Sequence, residues 1–180
     1  MSNHIDYEIN KELGECYLFM GEYDKAADYY GKAVANDASQ ADPYMGLAAI
    51  ALNKGSLEEA LTYYTKAGSI ERSDKPLTGM AMVEMELGLH DAAFDHYVEA
   101  LALNAGNMLA VNGLVQLSYF LGRLEEAVPS LETALTEEDN ETLRYTLSGC
   151  LIFLGREEAA RDHLKYLLEK NPAHADAKEL

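Results

Sequence analysis

The chain has 180 residues, of which 48% are hydrophobic and 25% are charged, a composition typical of a globular protein. Its 31 acidic and 14 basic residues give a formal net charge of −17. This charge argues against nucleic acid and against an anionic membrane surface as partners, since both are bound through Lys and Arg. The longest apolar runs are too short to span a bilayer, and the N-terminal residues do not resemble a signal peptide. Together with only two cysteines, these features predict a cytoplasmic protein with no direct membrane insertion.

A repeat of about 34 residues runs through the chain. Its clearest markers are glycines separated by 34, 33, 34 and 33 residues, namely Gly21, Gly55, Gly88, Gly122 and Gly155. Five residues after each glycine stands an alanine, and nine residues after it stands a large residue; the large residues are Tyr30, Tyr64, Tyr97, Leu131 and Leu164. This agreement between copies predicts five structural repeats.

Each repeat is predicted to contain two helices. The glycine lies where the first helix must end, because glycine adopts the left-handed conformation of a helix C-cap without strain. The second helix then opens with acidic residues, as in "SLEEA" from Ser56 and "RLEEA" from Arg123. Carboxylates in a first turn are stabilised by the positive end of the helix dipole, so much of the negative charge needs no ligand to explain it.

The first repeat resembles the tetratricopeptide repeat (TPR) family. Its residues Leu13, Gly14, Tyr17, Ala26 and Tyr30 match the family's Leu-Gly-x2-Tyr and Ala-x3-aromatic spacing. The resemblance implies an all-α fold, a right-handed superhelical solenoid of about five helix-turn-helix repeats in a single domain over residues 1–180. The expected boundaries are about 7–40, 41–73, 74–107, 108–140 and 141–174, with a short C-terminal cap at 175–180.

The third, fourth and fifth repeats each depart from the family pattern. In the third, Glu84 replaces the tyrosine seen at Tyr17, so we expect poorer packing there. In the fourth, Pro129 lies inside the second helix and should bend it or remove one hydrogen bond. In the fifth, the family's closing proline appears, as Pro172, and the family's tryptophan is absent because the chain has none.

Each first helix carries an arc of residues that stacking does not need. At about 100° per residue, the positions ten, six, three and two residues before each glycine share this arc, and they are mostly apolar rather than polar. In the TPR family the first helices line a concave groove that binds peptides or helices of other proteins. The resemblance therefore implies a protein-binding groove, and the alternative is that the chain's own second helices bury the arc. The expected groove residues are Lys11, Leu18, Phe19, Met45, Leu52, Met82, Met85, Asn112, Gln116, Tyr119, Phe120, Tyr145, Ile152 and Phe153.

Three glycines lie in register inside first helices: Gly46, Gly79 and Gly113. A glycine there costs up to about 1 kcal/mol relative to alanine, which suggests a purpose. One hypothesis is an open floor that lets a partner's backbone approach, in which case alanine at all three positions should stabilise the fold and weaken binding. The alternatives are close packing on a neighbouring helix or copying of one ancestral repeat.

No catalytic or phosphate-binding motif occurs, and no cofactor is expected. His90, Asp91, Asp95 and His96 form the one compact group of residue types that bind metals, but its two histidines lie about 240° apart on a helix. We interpret this group as a solvated helix start. Cys16 and Cys150 occupy the same column of the repeat, and we expect each to be a small core or groove residue.

The sequence predicts a non-catalytic adaptor that binds a peptide or amphipathic helix of another protein, with a basic segment favoured by the acidic charge. A chaperone-type clamp for a C-terminal carboxylate is not expected, because Glu15 follows Lys11 where that clamp needs asparagine. Alternatives are a dedicated chaperone for a secreted or membrane-inserting client, the TPR portion of a larger enzyme, and an assembly scaffold. We also expect self-association, as a homo-oligomer through the C-terminal end.

Overall fold

The computed structural model describes residues 2–172 and residue 177. Within that part of the chain all regular structure is helical, which confirms the predicted all-α fold. The helices are α1 (Ser2–Phe19), α2 (Tyr23–Asn36), α3 (Asp42–Asn53), α4 (Leu57–Ile70), α5 (Asp74–Glu86), α6 (His90–Leu103), α7 (Met108–Leu121), α8 (Leu124–Glu137), α9 (Glu141–Phe153) and α10 (Glu157–Lys170). Each predicted repeat thus holds a first and a second helix.

The helices form two compact units. Unit 1 is Met1–Ala93 and unit 2 is Phe94–Leu180, so the division falls within α6. Unit 1 holds α1 to α5, and unit 2 holds most of α6 together with α7 to α10. The functional surfaces described below belong to one unit or the other.

The five marker glycines end the first helices as predicted. Their φ angles lie between 68° and 75°, a left-handed conformation that residues with a Cβ rarely adopt. In each turn two N–H groups point back into the helix: Gly21 donates to the Leu18 carbonyl (3.0 Å) and Glu22 to the Tyr17 carbonyl (2.9 Å). The same pair of bonds recurs at the other four glycines. All five turns are therefore Schellman motifs, which satisfy carbonyls that a helix end would otherwise leave unpaired.

The predicted packing columns form the core. The alanines five residues after the glycines are at most 1% exposed, and the large residues nine after them are at most 8% exposed. Acidic side chains occupy the first turn of every second helix, from Asp24 in α2 to Glu157 and Glu158 in α10. The alternation of small and large residues thus specifies how the helices stack.

The three in-register glycines face tyrosine rings, and the hypothesis of an open floor is wrong. A Cβ placed on Gly46 would lie 2.3 Å from the Tyr30 ring, and one on Gly79 would lie 2.4 Å from the Tyr64 ring. Gly113 is equivalent, at 2.2 Å from the Tyr97 ring. Since real Cβ atoms do not approach so closely, each glycine is a notch that the tyrosine of the preceding second helix fills. The alternative of close packing on a neighbouring helix is the correct one.

The departures from the family pattern are accommodated locally. Glu84, which replaces the tyrosine of the Tyr17 column, is only 5% exposed, so this position is buried even without an aromatic ring. Pro129 lies inside α8, which nevertheless runs from Leu124 to Glu137 as one helix. Cys150 is a core residue as expected, whereas Cys16 is exposed because no helix of the described chain covers its side of α1. Of the predicted cap at 175–180, only Ala177 lies among the described residues.

A polar cluster joins the last two repeats within unit 2. Asp139, in the α8–α9 connection, accepts hydrogen bonds from Arg144 (2.7 Å), the Tyr166 hydroxyl (2.7 Å) and Lys170 (2.5 Å). The Arg144 guanidinium lies 4.0 Å from the centroid of the Tyr166 ring. These hydrogen bonds, led by those from Lys170 and Tyr166, hold the pKa of Asp139 well below its usual range. The carboxylate therefore stays charged where the chain turns from α8 into α9.

Candidate functional site

Unit 2 exposes three aromatic side chains at the ends of two first helices. The rings of Tyr119 in α7 and Phe153 in α9 are 4.8 Å apart between centroids, in an edge-to-face contact. Phe120 is 72% exposed, Phe153 69% and Tyr119 41%. Contiguous exposed apolar surface indicates a binding site far more strongly than scattered exposed residues do. We call Tyr119, Phe120 and Phe153 the aromatic cluster.

The glycine turns place the aromatic cluster. Tyr119 and Phe120 occupy the last turn of α7, and Phe153 ends α9, two residues before its glycine. The Gly122 N–H donates to the Tyr119 carbonyl (3.3 Å), which closes the turn directly behind the two aromatic residues. The backbone of these residues is therefore fixed by the same local motif that ends the helix.

Tyr119 also links α7 to α9 through its hydroxyl, which lies beside the Cys150 thiol. Burial, and secondarily the neighbouring thiol, raises the pKa of Tyr119. Burial likewise raises the pKa of Cys150, with a partial offset from the Tyr119 hydroxyl. Both groups are uncharged at neutral pH, so the pair anchors an aromatic ring without placing a charge beneath the surface.

The remaining predicted residues of unit 2 fall into two kinds. Asn112 and Gln116 are exposed on α7. Tyr145 and Ile152 are half-buried on α9, where they pack against the cluster formed by Leu164, Leu167 and Ala177. Part of each of these two side chains is thus taken up by the core of the last repeat, and part remains accessible.

In unit 1, α1 carries three predicted residues with different surroundings. The Lys11 ammonium forms an ion pair with Glu8 at 2.8 Å, and it lies 5.8 Å from the Tyr7 ring centroid. Leu18 is half-buried and packs against the core around Tyr30. Phe19 is 96% exposed, which leaves nearly its whole ring available to a partner.

The other predicted residues of unit 1 lie on α3 and α5. Met45, Leu52 and Met85 are half-buried, and Met82 is 39% exposed. The predicted free arc fails at one position, ten residues before Gly88. Thr78 is only 4% exposed, and its hydroxyl donates to the Asp74 carbonyl within α5 (2.8 Å), so it belongs to the core.

Sequence reasoning missed Leu109, which is 66% exposed on α7. It lies three residues before Asn112 and seven before Gln116, so all three share one helical face. The signal was available, because extending the arc by one turn toward the helix N-terminus includes this position. Leu109 therefore lengthens the apolar surface of α7 beyond the aromatic cluster.

Over residues 2–172 and residue 177, the side chains of His, Cys, Asp and Glu form no group of three or more that could hold a metal ion. No helix in the same part of the chain is long and apolar enough to cross a bilayer.

Two family models described as tetratricopeptide repeat match the chain, over residues 12–70 and 121–180. The two matched stretches include four of the five marker glycines, all except Gly88. The chain belongs to the tetratricopeptide repeat family. Members of this family stack helical hairpins of about 34 residues, and the described helices follow that pattern.

Curated relatives match parts of the chain. The BBSome complex member BBS4 of Bos taurus is 31% identical over 110 residues, which is 61% of this chain and 21% of that protein. The photosystem I assembly protein Ycf3 of Synechococcus elongatus is 38% identical over 78 residues, which is 41% of this chain and 45% of that protein. The matches thus span about a fifth and somewhat under half of these relatives' lengths.

Solved structures share the fold more completely. Pseudomonas aeruginosa pilF superposes with a TM-score of 0.72 at 19% identity, covering 98% of this chain and 82% of that one. The second TPR domain of human RPAP3, solved in complex with an HSP70 peptide, superposes with a TM-score of 0.61 at 25% identity. That likeness covers 64% of this chain and 98% of the RPAP3 domain.

Proposed function

We propose that this chain is a non-catalytic protein-interaction module whose first-helix surface binds an apolar or amphipathic segment of another protein. The aromatic cluster carries the proposal, because three large rings on two first helices of unit 2 are 41–72% exposed. Membership of a family with peptide-binding members supports it, as does the HSP70 peptide held by the RPAP3 domain. The assembly role in the name of the Ycf3 relative agrees with a protein that acts through other proteins.

The chemistry of the cluster suits an apolar anchor of the partner. Aromatic rings provide large contact areas with few rotatable bonds, and residues of this kind dominate the binding energy of many interfaces. Phe120 and Phe153 supply the open ring faces, while Tyr119 is held by its contacts with Phe153 and Cys150. A partner side chain placed between these rings would bury apolar surface at a largely preformed site.

The surroundings of the arc favour a partner with both apolar and basic residues. The formal net charge of −17 attracts basic segments and accelerates their association. In unit 1, the partly accessible Met82 and Met85 offer flexible, polarisable side chains that adapt to different partner shapes. We therefore assign apolar anchors to the aromatic cluster of unit 2 and looser contacts to the methionines of unit 1.

The proposal is tested by selecting peptides from a displayed random library on the wild-type chain. The selected peptides are then titrated against Phe120→Glu and Phe153→Glu variants. The matched control is Leu103→Glu, which alters another exposed apolar residue, 45% exposed, on a second helix. Each variant is checked by circular dichroism so that loss of folding is separated from loss of binding.

We expect the selected peptides to be rich in apolar and aromatic residues and to bind both phenylalanine variants about 30-fold more weakly, as for an interface hot spot. Binding to the Leu103→Glu control should stay close to wild type. Peptides that bind all three variants equally well would show that the aromatic cluster is not the binding site.

A further inference from the structure

The outer side of α1 exposes positions that are buried in every other repeat. Five residues before the glycine, the other four first helices carry side chains that are at most 3% exposed, namely Ile50, Val83, Leu117 and Cys150. Twelve residues before it, they carry the buried residues Pro43, Pro76, Ala110 and Leu143. In α1 the same columns hold Cys16, which is exposed, and Ile9, which is 50% exposed.

Neighbouring positions extend this surface along α1. Ile5 is 59% exposed and lies on the same side of α1 as Ile9 and Cys16. Met20, which is 61% exposed, directly follows α1 and keeps the helical hydrogen bond from its N–H to the Cys16 carbonyl (3.1 Å), so it continues the same side. We call Ile5, Ile9, Glu12, Cys16 and Met20 the α1 outer face. From Ile5 to Met20 it is about 22 Å long, the length of a fifteen-residue helix. It points away from Lys11 and Leu18, but it borders Phe19, which lies about 20° from Glu12 around the helix. The α1 outer face is thus next to the surface in the proposed function and shares none of its residues.

The other repeats show what covers this kind of face. Ile50 of α3 packs against Ala26 and Tyr30 of α2, the second helix of the preceding repeat. At the same contact the Tyr30 ring fills the notch at Gly46. A face of this type is therefore shaped to receive a second helix, and no helix of the described residues covers it on α1.

The residue at the notch position indicates the chemistry of a helix that could cover the face. Where the covering residue is tyrosine, the position nine residues before the next glycine is Gly46, Gly79 or Gly113. In the last repeat, where Leu131 takes the tyrosine column, that position is Thr146. In α1 it is Glu12, which is exposed. The Glu12 side chain leaves no room for a tyrosine ring to pack against the helix. Its carboxylate favours a basic side chain of the covering helix instead.

We propose that the α1 outer face binds an amphipathic helix of another protein, which packs on α1 as this chain's second helices pack on the first helices that follow them. Small or apolar residues of that helix cover Ile9 and Cys16, and a Lys or Arg faces Glu12. Lys11 does not neutralise Glu12, because its ammonium is paired with Glu8 at 2.8 Å. Glu15 flanks the face and strengthens the preference for a basic helix.

A second copy of the chain fits the face less well. In a two-fold antiparallel pair of α1 helices, the flank that carries Glu12 and Glu15 would meet the same flank of its copy. Like charges would then face each other across the contact, between chains of net charge −17 each. In a head-to-tail contact the outer side of α10 would have to cover α1, and its residue in the tyrosine column is Leu164, which would face Glu12 where a basic side chain is needed.

The experiment supplies the helix by fusion to the intact chain. The sequence of α4 (Leu57–Ile70) with Tyr64→Arg is joined ahead of Met1 by a flexible Gly/Ser linker of about ten residues, which spans roughly 17 Å. Such a linker holds the helix at an effective concentration in the millimolar range. The control fusion is identical except for Tyr64→Glu. The alkylation rate of Cys16 reports coverage of the face, and the buried Cys150 serves as an internal reference.

We expect Cys16 to be alkylated about threefold more slowly in the arginine fusion than in the glutamate fusion, the size of effect that one exposed charge pair gives. In a Glu12→Arg background the order of the two fusions should reverse, which shows that the pair at this position decides. Equal rates in both backgrounds would overturn the proposal. Slower alkylation of the unfused chain as its concentration rises, with a doubled mass by light scattering, would overturn it too, by identifying a second copy as the occupant.

Discussion

The contacts between successive repeats are built in two different ways in this chain. At the first contact, in unit 1, the Tyr30 ring lies between glycines, since a Cβ on Gly14 or Gly46 would come within 2.8 Å and 2.3 Å of it. At the last contact, in unit 2, the columns of Tyr30 and Gly46 hold Leu131 and Thr146. There the polar cluster around Asp139 ties the connecting segment to α9 and α10.

The first contact is thus determined by the fit of side chains, and the last depends more on charge and hydrogen bonding. A ring in a glycine notch tolerates no added atom, because protein cores are packed to crystal density. A partly exposed carboxylate with three donors tolerates changes in shape but depends on pH. Mutations should therefore act strongly and independently of pH in the first contact, and more weakly and with a pH dependence in the last.

The largest effect is expected for Tyr30→Ala. Removing a buried aromatic ring should lower the free energy of unfolding by about 3–5 kcal/mol, measured by urea denaturation. The matched control is Tyr29→Ala, since Tyr29 is half-buried and stacks on Tyr17 at the surface with ring centroids 5.3 Å apart. Equal losses for both variants would contradict the central role of the ring in the notch.

Gly46→Ala should lower the free energy of unfolding by about 1–3 kcal/mol, because the new methyl group overlaps the Tyr30 ring. Gly31→Ala is the control, since Gly31 lies inside α2 with nothing within 4 Å of its added Cβ. That change should stabilise the fold by up to about 1 kcal/mol through helix propensity. If both variants were stabilised, the notch would have to be open to solvent after all.

A double-mutant cycle sharpens the comparison further. Gly113→Ala overlaps the Tyr97 ring, and Tyr97→Leu removes the overlapping atoms at the cost of buried area. The two changes together should cost less than the sum of the single changes, with a coupling of about 0.5–3 kcal/mol. Strictly additive losses in thermal or urea unfolding would show that ring and notch do not act as one unit.

The smallest effect is expected for Asp139→Asn, with a loss of stability below that of Gly46→Ala. The pKa of Asp139 in the folded chain is lowered from its ordinary 3.8. The ionised carboxylate therefore contributes fully to the free energy of unfolding above about pH 3.8, and this contribution is lost as the pH falls toward the lower pKa of the folded chain. The difference in melting temperature between wild type and variant should be constant from about pH 5 to 7 and should shrink below about pH 4. A constant difference down to pH 2.5 would contradict this account.

Most of the fold could be predicted from the sequence because its determinants are local. Gly21 and its four equivalents end helices through their own φ angles, and Asp24 and its equivalents act on the helix that they begin. The spacing of Ala26 and Tyr30 fixes which sides of the helices meet. Each of these signals needs only a few neighbouring residues, and each recurs five times.

The role of Gly46 and its equivalents could not be predicted, because a missing Cβ has two explanations. It can leave space for a partner, or it can admit a side chain of the chain itself. Only the placement of the Tyr30 ring decides between them, and that depends on the contact between α2 and α3. The exposure of Cys16 was missed for a related reason, since the column that it shares with Cys150 does not show which side of α1 the other described helices leave uncovered.

For the candidate site, the helical arc predicted the accessibility of side chains, and a role of these residues in binding stays a prediction. None of the fourteen expected groove residues is buried, although half of them are only partly exposed. The helical arc did not anticipate that Tyr145 and Ile152 also contribute to the core of the last repeat, nor that Leu109 extends the surface. The packing of Tyr145 and Ile152 and the exposure of Leu109 depend on the length of a particular helix and on what packs at its ends. A pattern shared by all repeats does not contain this information.

The matched notches also constrain how such a chain can grow during evolution. Duplicating the segment that carries Gly46 and Tyr64 would place a new tyrosine opposite a new glycine, so the added hairpin would fit its neighbours at once. Duplicating the last hairpin in the same way would set Leu164 against another Thr146 position, a looser match that further mutations would have to refine. Gene duplication can therefore lengthen the molecule readily from its second or third repeat, and less readily from its first, where Glu12 stands at the notch position, or from its last.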